Sequence, residues 1–463
     1  MTRQAKHNQA FRRPVPRPGG PIIFPGIQKA HAENGLPIWL VERHDLPLVT
    51  IHFVFHAGAD RDRPGMLGLA TMTVESLDAG TETMTTQKVA ERMDAIGARL
   101  RQHATVDGAS VSLTVLSSHL DEAASVMAEV IARPTFPAEE FDRRIRQRRS
   151  ALLQELDKPA SVAWRALNRI LYGPDHPYGN DPDGYDESLA AMSRDDAVRF
   201  WSDSYRPNNG TLIAVGDTTL DRLREVLNRE LGTWRGSGLG AGDAPVSPPL
   251  GARRVFLINM PHAPQSEIRI GRPAISRASP DVYAVSLMNR ILGGQFSSRL
   301  NANLREKRGL TYGVHTAFFL NKGNGPFVAS TGVVQARTDE AVREMVFEIE
   351  RMHTEGLSEE ELRFSQTGQI GSFALSLETP AQIAGAMHLI ALYGLPDDYL
   401  EHYTRRLEEI TPDDIRRVSL RYLNTGEMAV LVVGDLTEIR KGVEELRLGE
   451  IVVCDPQGNP LHP

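Results

Sequence analysis

The sequence predicts an α+β protein made of two homologous αβ domains. Three observations carry that expectation: an internal repeat, an alternation of strand-like and helix-like segments in each copy, and a Gly/Pro-rich stretch between the copies. "HLDEAASVMAEVI" at 119–131 returns as "RTDEAVREMVFEI" at 337–349, and "GTLIAVGD" ending at Asp217 returns as "MAVLVVGD" ending at Asp435, both at an offset of 218 residues. One offset shared by two separate matches implies two copies of one domain. Between them, eight of the sixteen residues 236–251 are Gly or Pro, a composition suited to a linker. A chain of 463 residues also exceeds the size at which a single core keeps growing. The expected organisation is a basic arm at 1–24, a first domain over 25–235, the linker at 236–251, a second domain over 252–450 and a tail at 451–463.

Taken in order, residues 1–20 hold five Lys or Arg, five Pro or Gly and no acidic residue, and they lack the apolar core of a signal peptide. They read as a disordered arm. The matching expectation for location is cytoplasmic, or periplasmic if the true start lies elsewhere. "LPLVTIHFVF" at 46–55 is half the length of a membrane span and reads as a buried strand, so no integral membrane segment is expected. "SVSLTVL" at 110–116 and "TLIAVG" at 211–216 read as further strands, while "DEAASVMAEVIA" and "EEFDRRIRQRRSALLQEL" have helical periodicity. In the second copy "LSEEELRFSQTGQIGSFALSL" opens with a serine followed by acids, a helix start, and "TPAQIAGAMHLIALYG" has Pro380 near its first turn.

Composition narrows the function classes. A net charge of -7 argues against a general nucleic-acid binder, whose footprint is a strongly basic face. The one cysteine, Cys454, excludes an intrachain disulfide and any cysteine-based metal cluster, and leaves the redox compartment open. His52 and His56 share a strand face but stand roughly 13 Å apart along it, too far to hold one ion directly. The glycine-bearing loops "LNKGNGP" and "ILGGQF" lack the residues of a nucleotide cradle, and "RRIRQRRS" at 143–150 reads as a solvated basic helix face.

"GLATMTVESLDAGT" at 68–81 reads as an amphipathic helix running into a glycine turn. Thr71 and Glu75 stand four apart on one face, with Val74 beside them. A helical HxxEH motif places two zinc-binding histidines in that relation, with a glutamate that activates water. By residue type alone the stretch is either a zinc helix without its ligands or an ordinary helix.

"GADRDRPGMLGLATMTVESLDAGT", "HPYG" at 176–179, "SYRPNNGTLIAVGD" and "GGQFSSRLNANLREKRGLTYGV" at 293–314 together resemble the pitrilysin/insulinase (inverzincin) metallopeptidase family, from about residue 25 through nearly the whole chain. The resemblance implies largely antiparallel mixed sheets flanked by helices, the two domains forming half of a clamshell, as in mitochondrial processing peptidase subunits and paired bacterial zinc peptidases. The family's "GLAHFLEH…GT" falls on residues 68–81 without a gap, so its two histidines become Thr71 and Glu75 and its glutamate base becomes Val74. The third ligand, a glutamate about 76 residues further on and eight before a proline, falls on Ala151. Glu155 is displaced from that position by four residues, one helical turn. The implied zinc site is vacated, and no cofactor is expected in this chain.

The second copy retains a different pattern. The family's "LRxxxxLxY" arginine and tyrosine, which reach the catalytic centre from the half lacking zinc, match Arg305 and Tyr312 of "LREKRGLTY". A guanidinium fork suits a substrate carbonyl, and a phenol can donate to an oxyanion. The resemblance therefore implies a non-catalytic subunit that contributes Arg305 and Tyr312 to a homologous partner bearing HxxEH and zinc, acting on peptides small enough to enter an enclosed chamber. The alternatives are a scaffold subunit of the kind found in a respiratory complex, a peptide-binding module without hydrolysis, or a homodimer with a metal site elsewhere.

Overall fold

The structure, a computed structural model, describes residues 24–236, 240, 242–249 and 251–461. The basic arm expected at 1–24 lies outside them except for Phe24, which is buried. The described part of the linker forms no helix or strand.

Two six-stranded sheets organise the chain. The first contains β1 (Gln28–His31), β2 (Pro37–Glu42), β3 (Leu48–Phe55), β4 (Arg101–Ala104), β5 (Ala109–Leu116) and β6 (Gly210–Gly216), in the order β1-β2-β6-β3-β5-β4. The second contains β7 (Arg254–Asn259), β8 (Ser266–Ile275), β9 (Val314–Phe318), β10 (Gly325–Val333), β11 (Ala429–Gly434) and β12 (Glu450–Cys454), in the order β12-β7-β11-β8-β10-β9. In the first sheet only β2 and β6 run parallel; in the second, β7 runs parallel to both β11 and β12. The two orders match strand for strand from β2/β7 onward, as the repeat requires. They differ at one edge. β1 comes from just upstream of β2 and pairs with it as an antiparallel hairpin, whereas β12 comes from the end of the chain. Residues 451–454, expected to begin a tail, belong with Glu450 to the sheet. "EIVVC" is too short for its periodicity to announce a strand, and the open edge of β7 supplies its hydrogen bonds.

Each sheet is covered by helices on both faces, so β11 is buried along its whole length and β6 nearly so, consistent with their unbroken apolar runs. One face packs on helices of its own half, forming the two large cores. The other face is covered by a helix from the opposite half. Helix Pro159–Tyr172, with Val162, Ala163, Ala166, Leu167 and Leu171 along one stripe, lies on Phe256, Ile258, Leu431 and Val433 of the second sheet. Helix Pro380–Tyr393 lays Ile383, Ala384, Met387 and Ile390 on Val41, Val54, Ile213 and Val215 of the first. Both helices have fourteen residues and share "PA" at the start and "LY" at the end. Thr379 caps the second, its hydroxyl accepting from the Gln382 N–H, and Pro380 occupies the first turn as anticipated.

The exchange is tied at the last tyrosine of each helix. The Tyr393 hydroxyl donates to Asp107, in the β4–β5 turn, at 3.1 Å, and the Tyr172 hydroxyl donates to the Asn324 carbonyl, in the β9–β10 turn, at 2.9 Å. Buried Asp107 also accepts from the Tyr178 hydroxyl at 2.8 Å and the Lys322 N–H at 2.9 Å. Gly108 permits this approach, since a Cβ there would stand 2.6 Å from the Leu392 side chain and 2.8 Å from the Phe55 carbonyl.

A histidine pair spans the same seam. His52 Nε2 of β3 lies 2.8 Å from His388 Nδ1 of helix 380–393, and the other titratable side chain acting on His388 is His103 of β4. Burial lowers the His52 pKa to about 4; burial, with repulsion from His52 and His103, lowers that of His388 to about 3. Both lie below the unfolded value of about 6.5, so the unfolded chain takes up protons first. Stability from the neutral pair is full above that value and is lost as pH falls toward 4. We predict that denaturant titrations show a loss on the order of a few kcal/mol between pH 7 and pH 4. His388→Leu, which copies Leu167 of the other helix, should flatten that dependence; an unchanged pH slope in the variant would remove the pair as its source.

Candidate functional site

The helix expected at 68–81 forms over Leu69–Glu75. Its start is fixed by Gly68, whose φ of 94° lies in the left-handed region, and by Asp62, whose carboxylate accepts from the Gly68 and Ala70 N–H groups at 2.7 and 2.8 Å. Burial raises the Asp62 pKa to about 7 against those hydrogen bonds.

At the four positions that the resemblance assigns to the metal site, the side chains are engaged elsewhere or carry no ligand atom. The Thr71 hydroxyl donates to the Pro182 carbonyl at 2.6 Å. Val74 is fully buried in the first core. Glu75 accepts from Arg148 Nη2 at 2.5 Å, and the other nitrogen of that fork reaches Asp183 at 3.0 Å. Ala151, on the same helix Ala138–Leu156 as Arg148 and three residues beyond it, offers no ligand atom. Arg144, one turn before Arg148, reaches Asp78 at 2.8 Å and the Glu75 carbonyl. Glu155 faces the buried Arg165 at 3.8 Å, and Arg165 reaches Asp181 at 3.4 Å. These residues do not fit a zinc ion. Zinc takes imidazole, thiolate or carboxylate from several ligands at once, and the single carboxylate present is held by a guanidinium. Nor is there, among the described residues, any group of three or more His, Cys, Asp or Glu side chains that could hold a metal.

Arg148 is the residue that sequence reasoning missed. "RRIRQRRS" looked like a solvated face, yet Arg144 and Arg148 point at the 69–75 helix, and Arg149 pairs with Asp186 at 2.7 Å. The available signal was spacing: Arg144, Arg148 and Ala151 recur on the face that the family uses for its third ligand. His52 is paired with His388 across the seam, and His56 is held neutral by burial, its pKa lowered to about 4.

Arg305 and Tyr312 lie in the other half. Arg305 sits on a widened, π-type turn over Asn301–Lys307, where Arg308 N–H bonds the Asn303 carbonyl five residues back; such turns are frequent at functional sites. Its guanidinium carbon stands 4.1 Å from the ring centre of Phe296, itself largely exposed. Tyr312 is 92% exposed and its hydroxyl has no partner among the described residues. The backbone beneath them is locked. Buried Asn301 donates to the Val314 carbonyl at 2.9 Å and accepts from the Val314 N–H at 3.0 Å, and the Thr311 hydroxyl donates to the Gly332 carbonyl at 2.8 Å. A rigid frame thus presents an uncommitted phenol and a stacked guanidinium at the surface. No hydrogen bond, ion pair or ring contact of their side chains reaches the 69–75 helix.

Comparison with known proteins agrees with this architecture. The model for insulinase (peptidase family M16) matches residues 39–175, and that for the peptidase M16 inactive domain matches residues 191–368, together well over half of the chain. The chain belongs to the insulinase (M16) family. It is 25% identical to an uncharacterized zinc protease of Mycobacterium tuberculosis over 82% of this chain and 86% of that protein. It is 23% identical to the Helicobacter pylori non-peptidase homolog YmxG, over 90% and 95%. Among solved structures, the peptidase M16 inactive domain from Pseudomonas fluorescens superposes with a TM-score of 0.83 at 27% identity, over 89% of this chain and 98% of that one. A Helicobacter pylori protease superposes with a TM-score of 0.82 at 17% identity, over 89% and 100%, and shares the fold. No helix among the described residues is long and apolar enough to cross a membrane.

If Arg148 neutralises Glu75 and Asp183, then Arg148→Met leaves two partly buried carboxylates without a countercharge. We predict a loss of about 1–3 kcal/mol in urea titration, discounted from the fully buried case because the carboxylates are partly exposed. Adding Glu75→Gln should recover a measurable part of it, whereas strictly additive effects would show that the two residues are uncoupled.

Proposed function

We propose that this chain is the non-catalytic subunit of a two-chain zinc peptidase and supplies Arg305 and Tyr312, in trans, to a homologous partner that carries HxxEH. The observation that carries this reading is a contrast in commitment. At the metal position the polar side chains are consumed by internal contacts, while Tyr312 stands 92% exposed with a free hydroxyl on a locked frame. An exposed aromatic side chain without packing or hydrogen bonds contributes little to its own fold; it is positioned for something outside the chain. The names borne by the Helicobacter pylori non-peptidase homolog and the Pseudomonas fluorescens inactive domain support a role without metal chemistry of its own.

The chemistry assigned to each residue follows from its group. Peptide hydrolysis develops negative charge on the scissile carbonyl oxygen, and the Tyr312 phenol can donate a hydrogen bond there. The Arg305 guanidinium can hold a backbone carbonyl of the peptide. Metal and base belong to the partner.

On this reading the purified chain alone holds zinc only substoichiometrically and cleaves no peptide; about one tightly bound zinc per chain with chelator-sensitive hydrolysis would overturn it. In the pair reconstituted with an HxxEH homologue, Tyr312→Phe should lower kcat about 10²-fold with little change in stability, and Arg305→Ala should act mainly by raising KM. Neither should change the partner's zinc content. Cleavage at the unmodified rate by a pair carrying both substitutions would leave the scaffold role in the lead.

A further inference from the structure

The repeat places a cavity at the same junction in each half. In the second half it measures about 140 Å³ and lies where the loop after β8 and the start of helix Val282–Asn289 meet residues 395–406, just beyond helix 380–393. In the first half the matching junction joins the loop after β3 to the segment beyond helix 159–172. The two carry opposite charge. Asp60, Asp62, Asp175 and Asp181 line the first with a single arginine, Arg169, whereas Arg277 and Arg406 line the second, beside His402, with a single carboxylate, Asp398.

The two arginines of the second cavity are uncompensated. Neither makes an ion pair among the described residues. Arg277 is partly buried, its Nε has no hydrogen-bond partner, and its neighbours are neutral: the Tyr393 ring, whose centre stands 5.6 Å from the guanidinium carbon, and the Tyr399 hydroxyl. Arg406 stands 5.6 Å from the ring centre of Tyr283, and Tyr283 and Tyr399 complete the wall. Aromatic rings hold a guanidinium in place without cancelling its charge. Asp398 lies 3.2 Å from His402 Nε2 and pairs with neither arginine. By contrast, Arg148, Arg165 and Arg299 each face a carboxylate.

We propose that this cavity binds a phosphate group, free or as the end of a small phosphomonoester. Two guanidiniums offer more donors than the two oxygens of a carboxylate can use, and phosphate takes paired N–H groups from arginine forks with oxygens to spare. The volume lies well below the roughly 300–1,000 Å³ of pockets for larger ligands, so one small group fits and a chain segment does not. The site rests on the second half alone and is independent of any role for Arg305 and Tyr312.

The test titrates inorganic phosphate into the isolated full chain by calorimetry, in phosphate-free buffer of low ionic strength. Binding should saturate at about one phosphate per chain, with Kd in the millimolar range or tighter. Arg277→Gln and Arg406→Gln should each weaken it about tenfold or more. Asp398→Asn removes the carboxylate from the wall and should tighten binding about threefold or more, a change of sign that damage to the fold does not produce. Arg405→Gln, beside Arg406 in sequence but facing Glu409 and off the wall, should bind as the unmodified chain does. Methyl phosphate binding as tightly as phosphate would assign the site to a phosphomonoester and weaker binding to the free ion; both support the shared chemistry. No saturation by about 10 mM phosphate, unchanged affinity in a folded Arg277→Gln or Arg406→Gln chain, no gain in a folded Asp398→Asn chain, or an equal loss in Arg405→Gln would each overturn the proposal.

Discussion

The reciprocal placement of helices 159–172 and 380–393 is the constraint on which the rest of the chain depends. Each helix leaves its own half to cover a sheet face of the other, so neither half can close its core alone. Each large aliphatic side chain buried this way contributes about 1.5–3 kcal/mol, and both seams contain several. The tyrosine at the end of each helix then fixes the arrangement in angle. Asp107 receives Tyr178 from its own half and Tyr393 and Lys322 from the other, a junction that tolerates little sliding. Both faces of each sheet are thereby covered by helices.

That rigidity gives meaning to the two surfaces carrying chemistry. In the first half, the helix pair that would hold a metal is cross-linked by guanidinium groups. Arg148 bridges Glu75 and Asp183, and Arg165, from helix 159–172, lies between Glu155 and Asp181. An arginine fork balances carboxylates through paired hydrogen bonds, so local charge is satisfied. In the second half, the equivalent effort goes into presentation: Asn301 and Thr311 immobilise the backbone on both sides of Tyr312 while its ring remains in solvent. One half keeps its charges to itself, and the other offers a donor and a cation outward.

The limits of the repeat are equally informative. Two copies with matching strand order solve the same packing problem, yet they differ at positions where side chains meet the seam. Gly385, which is exposed, and Leu389 stand at the positions where Trp164 and Asn168 of the other helix line a cavity. His388 meets His52 where Leu167 meets an apolar sheet. Duplication set a shared frame, and individual side chains at the seam made the two sides chemically unequal.

Much of this was legible in the amino-acid order. Strands such as 48–55 and 210–216 follow from apolar periodicity, the 359–375 helix from its Ser358 and Glu361 cap, and the duplication from a single offset. At the positions that the family resemblance assigns, Thr71 and Ala151 in place of ligands, Glu75 in place of a histidine and Val74 in place of the base are a matter of residue type alone. An amphipathic stripe states that a helix buries one face but not against which sheet, so the exchange of the two long helices could come only from tertiary packing. Arginines in a basic run have the same local pattern whether they meet water or carboxylates 66 or 73 residues away in the chain, as Arg144 and Arg148 do with Asp78 and Glu75. Local sequence determines which surfaces are apolar and which residues are present; long-range contact decides which surfaces meet, because the free energy of burial depends on area removed from water and not on its owner.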